Sequence, residues 1–362
     1  MSRTVAVIGG GAIGLAVAWR ASRAGWTVTL HDPAVASGAS WVAGGMLAPL
    51  SEGWPGEDAV LAAGAASLER WPEFGRELEA LTGESLFTSD GSLTVALDAA
   101  DAADLRRVAE WLETQGYRLD LLSRAEIRAA EPSLAPNIRL ALLAATESAV
   151  DNRALVRALR RACVDAGVTF AQQAVADVDG LDADQVVIAA GTAAARLWPG
   201  LPVRPVKGEI LRLHRRPGVA PAPTRTIRGS VHGRPVYLVP RGDGIVVGAT
   251  QHESGEDTQV TVAGVRDLIA DAEALMPSIG EYELHETAAG LRPMSPDNLP
   301  ILGRVSDRVV LAAGAGRNGI LLTPLSADAV VAELSGTPLP EAKTCSPDRF
   351  DGLGVSIDRA RK

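Results

Sequence analysis

The chain has 362 residues, more than one domain usually holds, so two domains or one with a large insertion are expected. With 47% hydrophobic and 22% charged residues the composition is that of a folded protein and excludes a disordered one. A net charge of −9 argues against a general nucleic-acid or anionic-membrane binder, so an anionic ligand must be met by local cations.

In chain order, "TVAVI" is a short apolar run that ends at glycines, "GLAVAWRASRAGW" has helical spacing, and "TVTLHD" returns as a strand: a βαβ unit. The turn "VIGGGAIGL" sets Gly9, Gly11 and Gly14 in G-x-G-x-x-G spacing. In such a turn the first glycine permits the bend, the second lets backbone approach a pyrophosphate, and the third allows close helix–strand packing. The helix N-terminus offers N–H groups to phosphate. Asp32, ending the second strand, is placed to accept from a ribose, and His31 beside it reads as a surface side chain. A dinucleotide is implied, FAD or NAD.

Further on, "NRALVRALRRACVDAGV" places Leu155, Val156, Leu159 and Cys163 on one helical face, and "DQVVIAAG" reads as a buried parallel strand. The pattern returns in "RVVLAAG" and "PLSADAVVAEL". Between these pieces "GSLTVAL", "RLALLAAT", "GEILRLH" and the hairpin "PVYLVPRGDGIVVGAT" read as antiparallel strands, the Gly-Asp-Gly supplying the hairpin turn. The expected fold is α/β plus α+β: a discontinuous Rossmann-like domain over 1–48, 147–200 and 285–342, and an inserted antiparallel-sheet domain over 49–146 and 201–284. The stretch after Gly336, including a tail from 343 to 362, is expected to be a partly ordered surface arm.

A second glycine-rich stretch, "AAGAGRNGILL" (Ala312–Leu322), follows a strand and carries an arginine. An isoalloxazine ring lies far from the pyrophosphate of an extended FAD, and its pyrimidine edge becomes anionic on reduction. A second helix N-terminus near that edge would stabilise it, a need that a nicotinamide enzyme lacks, so this loop favours FAD. The histidines, His31, His214, His232, His252 and His285, show no metal spacing, and no Ser/His/Asp motif appears, so metal and acyl-transfer chemistry are disfavoured. Cys163 and Cys345 are too few for a disulfide framework. The N-terminal apolar run is too short for a signal peptide and no apolar segment has membrane-spanning length, so a cytoplasmic protein that neither enters a membrane nor binds nucleic acid is expected.

Six motifs in order, "VIGGGAIGLAVAW", "ASWVAGGMLAP", "PVKGEI", "VYLVPRGDGIVVGAT", "AGLRPMSPDNLPILG" and "AAGAGRNGILL", resemble the FAD-dependent amine and D-amino-acid oxidase family, above all its bacterial glycine-oxidising branch in thiamine biosynthesis. The resemblance implies that Arg317 anchors a substrate carboxylate, helped by Arg292 and Tyr237, with Met46 and Gln251 near the substrate. Gln251 is a polar departure from the apolar residue of that branch and bears on side-chain preference. Besides Gly9, Gly11, Gly14 and Asp32, the resemblance places Ala12, Ile13, Ser40, Gly45, Met46, Val175, Gly191, Gly316, Asn318, Gly319, Ile320 and Leu321 against FAD. Lys207 reads as structural or solvated. No cysteine stands near the last glycine loop, where the covalently flavinylated branch has one, so FAD is expected to be non-covalent. The implied reaction is hydride transfer from the Cα of a small amino acid to flavin N5, giving an imine, with O₂ reduced to H₂O₂. A D-amino-acid or sarcosine oxidase or dehydrogenase is the neighbouring reading, and a flavin binder without turnover the more distant one; a homo-oligomer is compatible with either.

Overall fold

The structure is a computed structural model that describes residues 3–351. Its first third holds β1 (Thr4–Ile8), α1 (Ala12–Arg23), β2 (Thr27–His31), α2 (Ala39–Val42), β3 (Met46–Leu47), α3 (Asp58–Thr82), β4 (Phe87–Ala96) and α4 (Ala99–Thr114). Then come β5 (Asp120–Ser123), α5 (Arg124–Ala130), β6 (Leu140–Val150), α6 (Asn152–Asp165), β7 (Thr169–Ala171), β8 (Gln185–Ile188) and α7 (Ala194–Leu197). The remainder holds β9 (Arg204–His214), β10 (Thr226–Val231), β11 (Arg234–Arg241), β12 (Gly244–Gly248), α8 (Val262–Leu275), β13 (Glu283–Met294), β14 (Ile301–Arg304), β15 (Val309–Ala313) and α9 (Thr323–Leu334).

Two sheets result. The smaller has the order β14-β15-β8-β1-β2-β7 and is parallel except for the β14–β15 pair. Its central strands β1, β8 and β15 are almost wholly buried and mostly apolar, as the inner strands of a covered parallel sheet are. On one side α1, α6 and α9 bury Leu15, Trp19, Leu155, Leu159, Cys163 and Leu325 in a common core. The apolar spacing of α6 therefore faces inward as expected, and Asp151 starts that helix by accepting from the Arg153 and Ala154 N–H groups.

The larger sheet runs β13-β9-β12-β11-β10-β4-β6-β3, with β5 paired to β6, and is antiparallel apart from β10–β4. Apart from register shifts in β13 and β4, period-two alternation splits its residues between two faces. Leu211, Leu213, Ile227, Val236, Leu238, Ile245 and Val247 face α8 and form a second core. Their neighbours Gly208, Ile210, Arg228, Tyr237, Gly290 and Arg292 face the smaller sheet and line a cavity between the two. The expected hairpin is β11–β12, closed between Arg241 and Gly244.

The expected segment edges at 147 and 285 fall inside strands. Both β6 and β13 belong to the larger sheet along their whole length, paired with strands far away in sequence, and such long-range pairing leaves no mark in local composition. The C-terminal stretch differs from the surface arm expected of it. Cys345 and Phe350 are buried, and Arg349 grips Asp297 through two nitrogens at 2.7 and 3.1 Å and stacks on Phe350, so the chain is packed down to Asp351. The part of the tail beyond Asp351 lies outside the described residues.

Candidate active site

A continuous cavity of about 1030 Å³ runs from the N-terminal glycine loop to the face of the larger sheet, room enough for a dinucleotide and a small substrate. At the loop end, β1 passes through Gly9, whose φ of +108° only glycine adopts readily, into α1. A Cβ on Gly9 would stand 2.3 Å from the Ala189 carbonyl oxygen, and one on Gly14 only 1.9 Å from the Gly9 oxygen. Gly14 thus packs helix on loop and does not line the cavity. Gly11 is different: a Cβ there would meet nothing closer than Ser40 Oγ at 3.2 Å, so the space its missing side chain leaves belongs to the cavity.

Ser40 accepts from Ala12 N at 3.0 Å, and Asp32 accepts from Gly10 N at 2.6 Å and Ala34 N at 2.7 Å, each carboxylate oxygen keeping a lone pair. Gly9, Gly11, Ala12, Ile13, Asp32, Ser40, Gly45, Met46, Val175 and Gly191 all line this cavity. His31 is not the surface residue expected: it is buried at the cavity wall, Nδ1 unpaired, and burial lowers its pKa. A strand end that closes over a cofactor groove buries whatever side chain stands there.

The second glycine loop borders the other end. Gly316, Arg317, Asn318, Gly319 and Ile320 line the cavity, whereas Leu321 does not. Its side chain is buried in the core and its carbonyl accepts from Ser67 Oγ and Trp71 Nε1, so Leu321 ties α3 to the loop instead. The segment Gly316–Asn318 is a 3₁₀ turn, and the regular helix begins only at Thr323 with Pro324 in its first turn. Opposite lies the face of the larger sheet. Tyr237 sits between Arg228 and Gly248 in register, its ring close against Gly248 and Gly44, where a Cβ would come within 2.3 and 2.9 Å of it. Burial pushes its phenol up, with Arg292 opposing, and its hydroxyl makes no hydrogen bond among the described residues. Arg292 lies in the same way over Gly208, where a Cβ would be 2.4 Å from both terminal nitrogens. Arg241 fastens the Gly44–Met46 segment beside Tyr237, donating to Gly44 O at 2.7 Å and Val150 O at 3.0 Å.

The two arginines expected to bind carboxylate keep different company. Arg317 donates to Glu57 Oε2 at 2.8 Å and lies 3.4 Å from Glu52 Oε2. Burial works against its charge, but the two carboxylates outweigh burial and its pKa is raised. Arg292 makes one hydrogen bond, 3.2 Å to the Thr250 carbonyl, and has no acidic partner among the described residues. Met46 and Gln251 line the cavity as well, Gln251 from an exposed connecting segment.

The family model for FAD dependent oxidoreductases (DAO) matches residues 4–334. The chain belongs to that family. It is an FAD-dependent oxidoreductase, and the glycine loop, the open space at Gly11 and the Asp32 carboxylate fit the cofactor. ThiO of Rhizobium etli, described as a thiamine biosynthesis oxidoreductase, is 36% identical over 91% of this chain and 96% of its own. The bifunctional ThiO/ThiG of Synechocystis is 34% identical over 96% of this chain, which spans 54% of that longer protein. Among solved structures, glycine oxidase of Geobacillus kaustophilus superposes with a TM-score of 0.87 at 28% identity, covering 95% of this chain and 98% of that one.

Family motifs marked the loops, and among the cavity residues they did not point to are Glu52 and Arg228. Glu52 stands in the turn-like "SEGWPGED", and Arg228 in the strand "TIRGSV", where alternation alone could have placed it beside Tyr237 had the pairing of β10 with β11 been known. Neither cysteine lines the cavity. Cys163 donates to Leu15 O at 3.2 Å, and burial pushes its thiol up to about 12. Lys207 is neither exposed nor free: Nζ donates to Asp257 Oδ2 at 2.5 Å and to the Gln259 carbonyl. No described helix is long and apolar enough to cross a membrane.

Proposed function

We propose that this FAD-dependent oxidoreductase oxidises glycine and related small amines and serves thiamine biosynthesis, as its relatives' names suggest. The observation that carries the reading is Arg292: a guanidinium at the cavity wall, packed over Gly208, without a carboxylate partner among the described residues and close enough to Tyr237 to act on its phenol. A fork-shaped cation and a free phenol hydroxyl together suit one carboxylate. Arg317, whose charge Glu52 and Glu57 already meet, supports the site from behind, so the principal anchor passes from Arg317 to Arg292.

When bound, FAD supplies the two-electron acceptor for hydride leaving the substrate Cα. The chain contributes orientation: carboxylate on Arg292 and Tyr237, the amine side toward the 50–57 loop, and Met46 and Ile320 closing apolar walls. No covalent link is available from either cysteine, which supports non-covalent FAD. By this reading the smaller sheet with its loops is the cofactor part and the larger sheet the substrate part, and O₂ is the electron acceptor.

Anaerobic glycine should bleach the yellow holoenzyme. In air it should consume O₂ and yield glyoxylate, ammonia and H₂O₂ at a rate that NAD⁺ does not alter. Sarcosine and small D-amino acids complete the panel, and a flavin that none of these reduces would overturn the reading.

A further inference from the structure

Two carboxylates line the cavity among the described residues, and they stand at opposite ends: Asp32 by the N-terminal loop and Glu52 by the second. Glu52 is held with unusual care for a loop residue. Ahead of it, the buried Glu147 takes both the Leu50 and Ser51 N–H groups on Oε1, at 2.6 and 2.8 Å. Behind it, Glu57 ties the loop to Asn298 Nδ2 at 2.7 Å and to Arg317 at 2.8 Å. Arg228 donates to the Ser51 carbonyl as well.

The side chain of Glu52 is 10% exposed and lies between two guanidinium groups. Arg228 Nη2 is 3.3 Å from Oε1 and Arg317 Nε 3.4 Å from Oε2, both beyond the about 2.7–2.9 Å of a charge-assisted hydrogen bond. The two guanidinium groups balance the carboxylate without saturating it, and each oxygen keeps a lone pair. Glu52 also lies near enough to Tyr237 to oppose Arg292 in its effect on the phenol. An α-amino acid presents a carboxylate and an amine on adjacent atoms, and this wall presents a cation and an anion on either side of one tyrosine.

We infer that Glu52 receives the amino group of the substrate, and that it selects amines over 2-hydroxy acids and simple carboxylates in the same cavity. The inference rests on the amine-oxidase reading above. Arg228 then acts as a positioning residue, holding Glu52 through both its carboxylate and the Ser51 carbonyl.

The test uses holoenzyme. The KM for glycine is set against the dissociation constants of acetate and glycolate, read from the flavin absorbance, in wild type, Glu52→Gln and Glu57→Gln. Glu52→Gln should raise the glycine KM roughly 10- to 100-fold, the worth of a hydrogen bond to a charged group, while acetate and glycolate bind as well as before or better because a neighbouring negative charge is gone. Glu57→Gln also takes a carboxylate from Arg317 but none from the cavity, so glycine and acetate should shift together. Equal shifts for glycine and acetate in Glu52→Gln would overturn the inference and leave Glu52 as a neutraliser of arginine. A wild-type flavin that no small amine reduces would instead overturn the oxidase reading, and the inference with it.

Discussion

The two ends of the cavity both depend on glycine, for different reasons. At the N-terminal loop the missing Cβ atoms of Gly9 and Gly14 make room for backbone, which cannot move aside. On the larger sheet Gly208 and Gly248 make room for the side chains of Arg292 and Tyr237, the groups proposed to hold the substrate. Backbone against backbone is a matter of fold. Side chain on glycine is a matter of aim, since a displaced guanidinium leaves the chain folded and the site out of register.

Substitutions along the cavity should separate these cases. The largest effect is expected from Gly14→Ala, whose Cβ would stand 1.9 Å from the Gly9 oxygen: little folded holoenzyme should be recovered, judged by soluble yield and circular dichroism. Gly11→Val meets no backbone and should fold, yet lose FAD, because its side chain enters cofactor space; a normal flavin content after gel filtration would break the distinction. Next comes Arg292→Ala, which removes one partner of a desolvated charge pair worth roughly 2–5 kcal/mol, so kcat/KM for glycine should fall at least ~30-fold with flavin retained. Arg317→Ala should cost less. If it costs more, the ranking of the two arginines reverses.

Gly208→Ala sharpens the comparison. Its Cβ would displace only the mobile end of Arg292, so thermal stability and flavin content should hold while the glycine KM rises by about 3- to 10-fold, the worth of one ordinary hydrogen bond. The smallest effect concerns pH. Burial pushes the Glu147 carboxyl up, and the Ser51 N–H and Arg228 offset this only in part. The unfolded chain therefore releases that proton first, and stability should fall as pH rises from the ordinary carboxylate range through the raised native value. Glu147→Gln keeps an acceptor for Leu50 and Ser51 and should flatten that fall; identical Tm profiles from about pH 4 to about pH 8 would show that Glu147 does not titrate differently on folding.

Much of the cofactor end was legible because it is local. G-x-G-x-x-G, the flanking strand and helix and Asp32 lie within one βαβ unit, and the physics that demands glycine there acts between neighbours in sequence or through one predictable strand contact. The same holds for α6, whose buried face follows from spacing alone. His31 shows the limit even here, since its alternation put it at a strand end and only the groove beside that end buries it.

The end proposed to hold the substrate was decided by tertiary structure. Arg317 and Arg292 are equally basic in the sequence, and what separates them is a loop more than 250 residues from Arg317 that brings Glu52 and Glu57 to it, while nothing acidic among the described residues reaches Arg292. Leu321 stands within the glycine-loop motif, but the arrival of Ser67 and Trp71 on α3 turns it from the cavity into the core. Strand pairing sets Arg228 beside Tyr237, and strand pairing between β9 and β13 sets Gly208 beneath Arg292. Sequence fixes which side chains can carry charge or hold a helix start. Which charge remains uncompensated at a cavity depends on partners that only long-range packing supplies, because an ion pair neutralises through space and leaves no periodic trace along the chain.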